Sequence, residues 1–385
     1  MKIPRTPPDS IQRVVHVDQG AGVQDPKGQG PETQKPDTQE PSTRARPARA
    51  LAHGSLRTTF MDLIGRPPFA REYEQWLGLG RDKLLDDLLG GEEFWGHWWS
   101  EQLYYFLLVD NFQPIARATK EIPGKLAEGR MDYRTALHRI ALTSSFDQRN
   151  PGADTFVTVV MEQFCGLVVQ KNRRDLESGK RAYDGGKGNF LGTLVNNQSE
   201  VIEVCVNHSK ASKHYLEREY QRLMHGDPDK KVLANQARRL HRDTWKYLAT
   251  TRDWLLSEEY SQRLERLEPK SNTLFLKGLF VDLLDRLPTE DELEPMRTAL
   301  DGLADPRPLR SVVVRLLLDS GRAKIPEKAA ITDPTRWVAE KFQRFLGREA
   351  TPDELRVFVG TFHAEDCRPE TILYAFLSHP EYQKY

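Results

Sequence analysis

The chain has 385 residues, of which 29% are charged, and its 56 basic side chains balance 56 acidic ones. That balance excludes a whole-molecule electrostatic hold on nucleic acid or anionic lipid. No apolar run approaches membrane-spanning length.

Residues 1–52 are rich in Pro, Gln, Gly, Thr and charge, with almost no large apolar side chain. Such a segment cannot bury enough surface to offset its ordering entropy, so a disordered tail is predicted. Met1 to Gly20 lacks an apolar core of the kind a secretory leader carries, and the expected address is cytoplasmic. Three cysteines, Cys165, Cys205 and Cys367, lie far apart in sequence, as suits a reducing compartment.

Beyond the tail the chain repeats a phrase. It reads Phe60 to Arg66, then Phe280 to Arg286, then Phe342 to Arg348. Within it Phe60, Leu63 and Ile64 share a helix face at i, i+3, i+4, as do Phe280, Leu283 and Leu284, and Phe342, Phe345 and Leu346. Gly65 and Gly347 fall where a helix stops in the left-handed region, and Asp285 takes that place in the middle copy. Thr289 to Glu292 and Thr351 to Glu354 then fit capping boxes that start the next helix, with Pro352 at its first position. An apolar residue follows at a matched offset: Tyr73, Leu293 and Leu355. A second phrase, an apolar pair followed by a small or polar step and an aromatic, closes the units at Leu88 to Phe94, Leu255 to Tyr260 and Phe376 to Tyr382.

Recurrence at fixed offsets predicts one helical supersecondary unit used several times. Strand patterns are scarce, and Phe156 to Val160 continues into Met161 to Phe164 at helical spacing. The predicted fold is all-α, a helical repeat-like bundle behind the tail. Its zones are a helical domain with the first repeat copy at 53–150, a middle helical domain at 151–270 and tandem copies at 271–385.

The stretch from Leu56 to Asp110 resembles a domain of unknown function associated with planctomycete c-type cytochromes. The residues that carry the likeness are Phe60 to Pro68, Lys83 to Leu89, Phe94 to Trp99 and Leu103 to Tyr105. Phe342 to Gly347 and Ser378 to Tyr382 are similar to short bacterial repeats whose helix ends in Leu-Gly-Arg, and more faintly to phycobilisome linker domains. The resemblance implies a helical bacterial family, commonly extracytoplasmic, and brings no reaction with it. The family's Cys-x-x-Cys-His run is missing from this chain, so no covalent haem is expected.

The remaining constellations are modest. Cys205 and His208 stand at i, i+3, a spacing that can hold a soft divalent metal on one helix face. Trp95, Trp98, Trp99, Tyr104 and Tyr105 form the densest aromatic run, read chiefly as packing, with any exposed member a partner-binding anchor. Basic clusters include Arg173 and Arg174, running on to Arg181, and Arg238 and Arg239, running on to Arg242. Interleaved acids favour a solvated face over a phosphate-binding one. Asp184 to Asn189 lacks phosphate-loop spacing and reads as a mobile linker.

No G-x-S-x-G, H-E-x-x-H or nucleophile–base pair is apparent. The expected role is therefore a non-enzymatic scaffold or adaptor that docks protein partners and uses no cofactor. The alternatives are a metal or redox accessory protein using Cys205 and His208, and a nucleic-acid binder using the clusters at 171–181 and 238–242.

Overall fold

Each of the three predicted helix stops adopts the conformation its place in the phrase demands. Gly65, Asp285 and Gly347 all have positive φ, at 68°, 53° and 72°. The computed structural model describes residues 51–109 and 116–385, so nearly all of the predicted tail at 1–52 lies outside the described residues. Among the described residues there are 21 α-helices, and the fold is all-α. None of these helices is long and apolar enough to cross a membrane.

The arginine after each stop does the same work in all three copies. Arg66 donates to the carbonyl of Pro67 and, through both terminal nitrogens, to Glu72 at 2.7 and 2.9 Å. Arg286 repeats this on Leu287 and Glu292, and Arg348 on Glu349 and Glu354. In each case the same glutamate also accepts the backbone N–H of the residue that starts the next helix: Phe69, Thr289 or Thr351. One carboxylate thus caps a helix and holds the arginine of the preceding turn, which fixes the angle between the two helices. Thr289 and Thr351 complete the predicted capping boxes.

A fourth copy lies in the middle zone, where only the closing phrase is visible in the sequence. His225 stops the helix Ser209–Met224 with φ 52°. Asp229 caps the next helix, Lys230–Arg242, at the same offset from the stop as Thr289 and Thr351. Leu233, eight residues past the stop like Tyr73, Leu293 and Leu355, is buried. Gly226 stands where the other copies have arginine and Val232 where they have the capping glutamate. Both ends of the clamp are missing together, which is why the copy does not show in the sequence.

Each repeat has three helices. The first has His53–Ile64, Ala70–Trp76 and Arg81–Leu88. The second has Ser209–Met224, Lys230–Arg242 and Lys246–Leu255. The third has Asn272–Leu284, Glu290–Asp301 and Arg307–Asp319. The fourth has Pro334–Lys341, continued by a π-helical turn at Phe342–Leu346, then Pro352–His363 and Pro369–Leu377.

The repeats pair through one recurring buried contact. Asp62 and Asp282 stand at the same place, three residues before the stop of the first and third repeats. Tyr260, closing the second repeat, donates its hydroxyl to Asp62 at 2.8 Å, and Tyr382, closing the fourth, donates to Asp282 at 2.8 Å. Each aspartate also has a buried arginine: Arg263 for Asp62 and Arg57 for Asp282.

The helices between the first and second repeats, from Glu92–Leu107 to Gln198–Asn207, join the core of those two repeats. That core runs without a break from Leu51 to Tyr260, so the zones drawn at 53–150 and 151–270 share it. A second core holds the third and fourth repeats, from Phe275 to Tyr382. Asp184 to Asn189 corrects the mobile-linker reading. Gly188–Phe190 pairs antiparallel with Thr193–Val195, and a side chain at Gly188 would run into the carbonyl of Ser178. The hairpin leaves no alternating pattern in the sequence because its strands are three residues long, and it turns at Leu191-Gly192, both at positive φ.

Candidate functional site

The aromatic run lies on the helix Glu92–Leu107, whose inward face packs on the second repeat. Trp95, Trp98 and Trp99 are all buried, so they hold the core and present no surface to a partner. Trp98 donates from Nε1 to the hydroxyl of Tyr215 at 2.9 Å, and the rings of Trp95 and Trp98 meet edge to face. Tyr105 is half-buried beneath the Arg218 guanidinium, 3.9 Å from its ring centre. Only Tyr104 is exposed.

Glu219 sits at the heart of this packing. Its carboxylate accepts from Gln102 Nε2, Tyr247 Oη and Arg222. Burial pushes its pKa up, but Arg222 and Arg218 outweigh that and carry it below the ordinary value. A buried carboxylate held ionised by two guanidiniums and a phenol is a rigid joint.

The tryptophan that does face outward was not singled out from the sequence. Trp245 is 56% exposed, whereas Trp76, Trp95, Trp98, Trp99 and Trp254 are buried and Trp337 is half-buried. It lines a cavity of about 150 Å³ together with Gly90, Trp95, Met131, Tyr133 and Leu248. Two hydrogen bonds, one local and one to a distant helix cap, hold this turn. The Trp245 backbone N–H donates to Asp243, and the Thr244 hydroxyl donates to Asp132 at 2.5 Å. A lone Trp in a short polar turn carries no periodicity, so only its exposure marks it out. Further apolar surface lies on the third repeat, where Val312 and Leu316, one helical turn apart, are 50% and 66% exposed.

Cys205 and His208 do not share a helix. The helix Gln198–Asn207 ends between them, and His208 caps the next one by accepting from the backbone N–H of Lys210 on its Nδ1. This corrects the i, i+3 reading: the backbone turns at His208, and the imidazole is used as a cap. Among the described residues no group of three or more His, Cys, Asp or Glu is placed to hold a metal ion. Instead the fold brings in Cys165, whose thiol donates to the Cys205 carbonyl at 3.0 Å. That contact joins positions 40 residues apart, which sequence spacing could not reveal.

The basic clusters are on the surface. Arg173 and Arg174 are exposed at the start of the helix Arg173–Tyr183, in which Lys180 pairs with Asp154 and Glu177. Arg238 and Arg239 are exposed on the helix Lys230–Arg242, with Arg238 bonded to Asn235. Comparison with protein-family models, with curated proteins and with solved structures finds no match for this chain.

Proposed function

We propose that this protein is a non-enzymatic helical scaffold that docks a protein partner, with Trp245 as the principal anchor. The observation that carries the reading is the exposure of Trp245 beside an apolar cavity, in a molecule that buries five of its seven tryptophans. Tryptophan dominates interface hot spots because it offers a large, stiff apolar surface with one donor. The four repeats supply the rigid frame such a site needs. Three of them are clamped by arginine–glutamate pairs, and buried aspartate–tyrosine contacts join them two by two.

The test is purification of the tagged chain from its native cell at moderate salt, in parallel with Trp245→Ala and Leu248→Ser variants. A stoichiometric protein that leaves with both substitutions, while the melting temperature of the chain stays unchanged, supports the reading. A partner retained equally by the parent chain and both variants places docking elsewhere. Recovery of every form alone, together with turnover of a small molecule, overturns the scaffold role.

A further inference from the structure

The fourth repeat carries an arginine that the fold leaves without a close acceptor. Arg344 lies in the π-helical turn Phe342–Leu346, three residues before the stop at Gly347. Its Nε is buried and has no hydrogen-bond partner among the described residues. Asp285 stands 3.8 Å from its Nη2, and the same carboxylate oxygen already accepts the backbone N–H of Ala70 at 2.8 Å.

The second repeat shows what is missing. Arg222 stands three residues before the stop at His225, the place that Arg344 has, and Glu219 holds it at 3.0 Å from three residues further back. In the fourth repeat that further place is taken by Lys341. A second cation thus stands where the matching carboxylate would be. The Lys341 ammonium lies over the rings of Trp337 and Phe345, 5.3 and 6.0 Å from their centres.

Both cations line a cavity of about 340 Å³ where the third and fourth repeats meet. Arg322 and Lys324 reach it from the segment that joins those repeats. Against these four cations the walls hold two carboxylates, Asp282 and Asp285, and Asp282 is already matched by Arg57. Arg322 shares Glu292 with Arg286, so that acid leaves no negative charge over for the cavity. The remaining wall is mainly apolar and includes Leu284, Ile325, Trp337 and Leu373. Trp337, Lys341 and Arg344 follow one another at i, i+4 and i+7, which puts the ring and both cations on one side of the helix.

We propose that this cavity binds a small organic anion, with its carboxylate or phosphate oxygens held by Arg344 and Lys341 and its apolar body against Trp337. Excess positive charge between low-dielectric walls draws anions in. A guanidinium offers paired donors to either headgroup, and an ammonium adds a compact charge beside it. Apolar walls with a few convergent polar groups are the usual form of a small-molecule site. The inference does not rest on the scaffold role, because the cavity contains no residue of the Trp245 turn.

The test is calorimetric titration of the full chain, in phosphate-free buffer at low salt, with phenyl phosphate, phenylacetate and inorganic phosphate. Phenyl phosphate or phenylacetate is expected to bind with a Kd below about 1 mM. The tighter of the two assigns the headgroup. Arg344→Met and Lys341→Glu are each expected to weaken it by about tenfold or more. Lys341→Glu gives Arg344 the carboxylate that Arg222 has, so this variant should lose binding without a lower melting temperature. Trp245→Ala should bind as the parent chain does. No binding of either aromatic probe at about 10 mM, or equal affinity in the parent chain and both cavity variants, overturns the proposal. Inorganic phosphate bound as tightly as phenyl phosphate overturns the part given to the apolar wall.

Discussion

Arg57 and Asp282, 225 residues apart, form a two-pronged buried ion pair between the two apolar cores, with N–O distances of 2.9 and 2.6 Å. The same guanidinium donates to the Arg344 carbonyl, and the same carboxylate accepts from Tyr382. Burial alone would lower the arginine's pKa; the facing Asp282 overturns that and holds it well above its ordinary value. Arg57→Met leaves Asp282 buried without its cation, and the expected loss is about 3–5 kcal/mol. Arg57→Met combined with Asp282→Leu should lose clearly less than the sum of the two single changes. A urea-unfolding double-mutant cycle checks this, and additive losses would show that the pair does not act as a unit.

The closing phrase predicts which charges can be exchanged. Four residues past the closing apolar pair, the first and fourth repeats carry Glu93 and Glu381, each bonded to its clamp arginine at 2.5 and 2.6 Å. The third repeat carries Arg322 there, and it bonds to Glu292 at 2.5 Å. The cluster is thus glutamate–arginine–glutamate in two repeats and arginine–glutamate–arginine in one. Glu381→Arg is expected to turn the fourth cluster into the third's pattern, at a cost under about 1 kcal/mol for these part-exposed groups. Glu354→Ala removes the capping acceptor as well as the clamp and should cost more. Thermal unfolding of the two variants side by side gives the ranking.

The parts of this fold that were legible in the sequence are those set by local chemistry. Gly65, Gly347 and the Thr289 and Thr351 caps announce themselves because each satisfies its own neighbours in the chain. The second repeat was hidden because its stop is a histidine and its clamp positions are Gly226 and Val232, although the backbone at His225 is the same. The role of the clamp arginines could have been seen. Arg66, Arg286 and Arg348 each precede a glutamate by six residues, and that recurrence is a pairing signal. The contact between Cys165 and Cys205, and the outward turn of Trp245, depend on how distant helices pack, and no local pattern encodes them.

Gly54 and Gly347 set how closely the first and fourth repeats approach. A side-chain carbon added at Gly54 would stand 2.6 Å from the Gly347 carbonyl oxygen, and one added at Gly347 would stand 2.7 Å from the Gly54 Cα. Both neighbours are backbone and cannot swing aside. Gly54→Ala therefore has to move one helix relative to the other, at an expected cost of about 1–3 kcal/mol. Gly78 has positive φ but open space around it, so Gly78→Ala should cost only the backbone strain, about 1 kcal/mol. Denaturation midpoints of the two variants separate crowding from strain, and equal losses would argue against the close approach.

Asp62 makes the stability of the first two repeats depend on pH in an unusual direction. Burial raises its pKa from 3.8 to about 6, against the opposing pull of Arg263, the Tyr260 hydroxyl and Arg222. In the unfolded chain the group releases its proton near the ordinary value, whereas in the folded chain it holds that proton until about pH 6. Between those limits the folded state binds more protons, so this group's contribution to stability falls as pH rises from about 4 to about 6 and is level above that. A shift of this size corresponds to a change on the order of 3 kcal/mol. Glu219 acts in the opposite sense: its folded pKa lies below the ordinary value, so its contribution is present above about pH 4.5 and is lost as pH falls. Asp62→Asn keeps an oxygen for Tyr260 and Arg263 but cannot titrate. The unfolding free energy of the parent chain minus that of this variant should therefore fall steadily from pH 4 to pH 6. Urea titrations at half-unit steps of pH measure it, and a constant difference across that window would mean that Asp62 is ionised throughout.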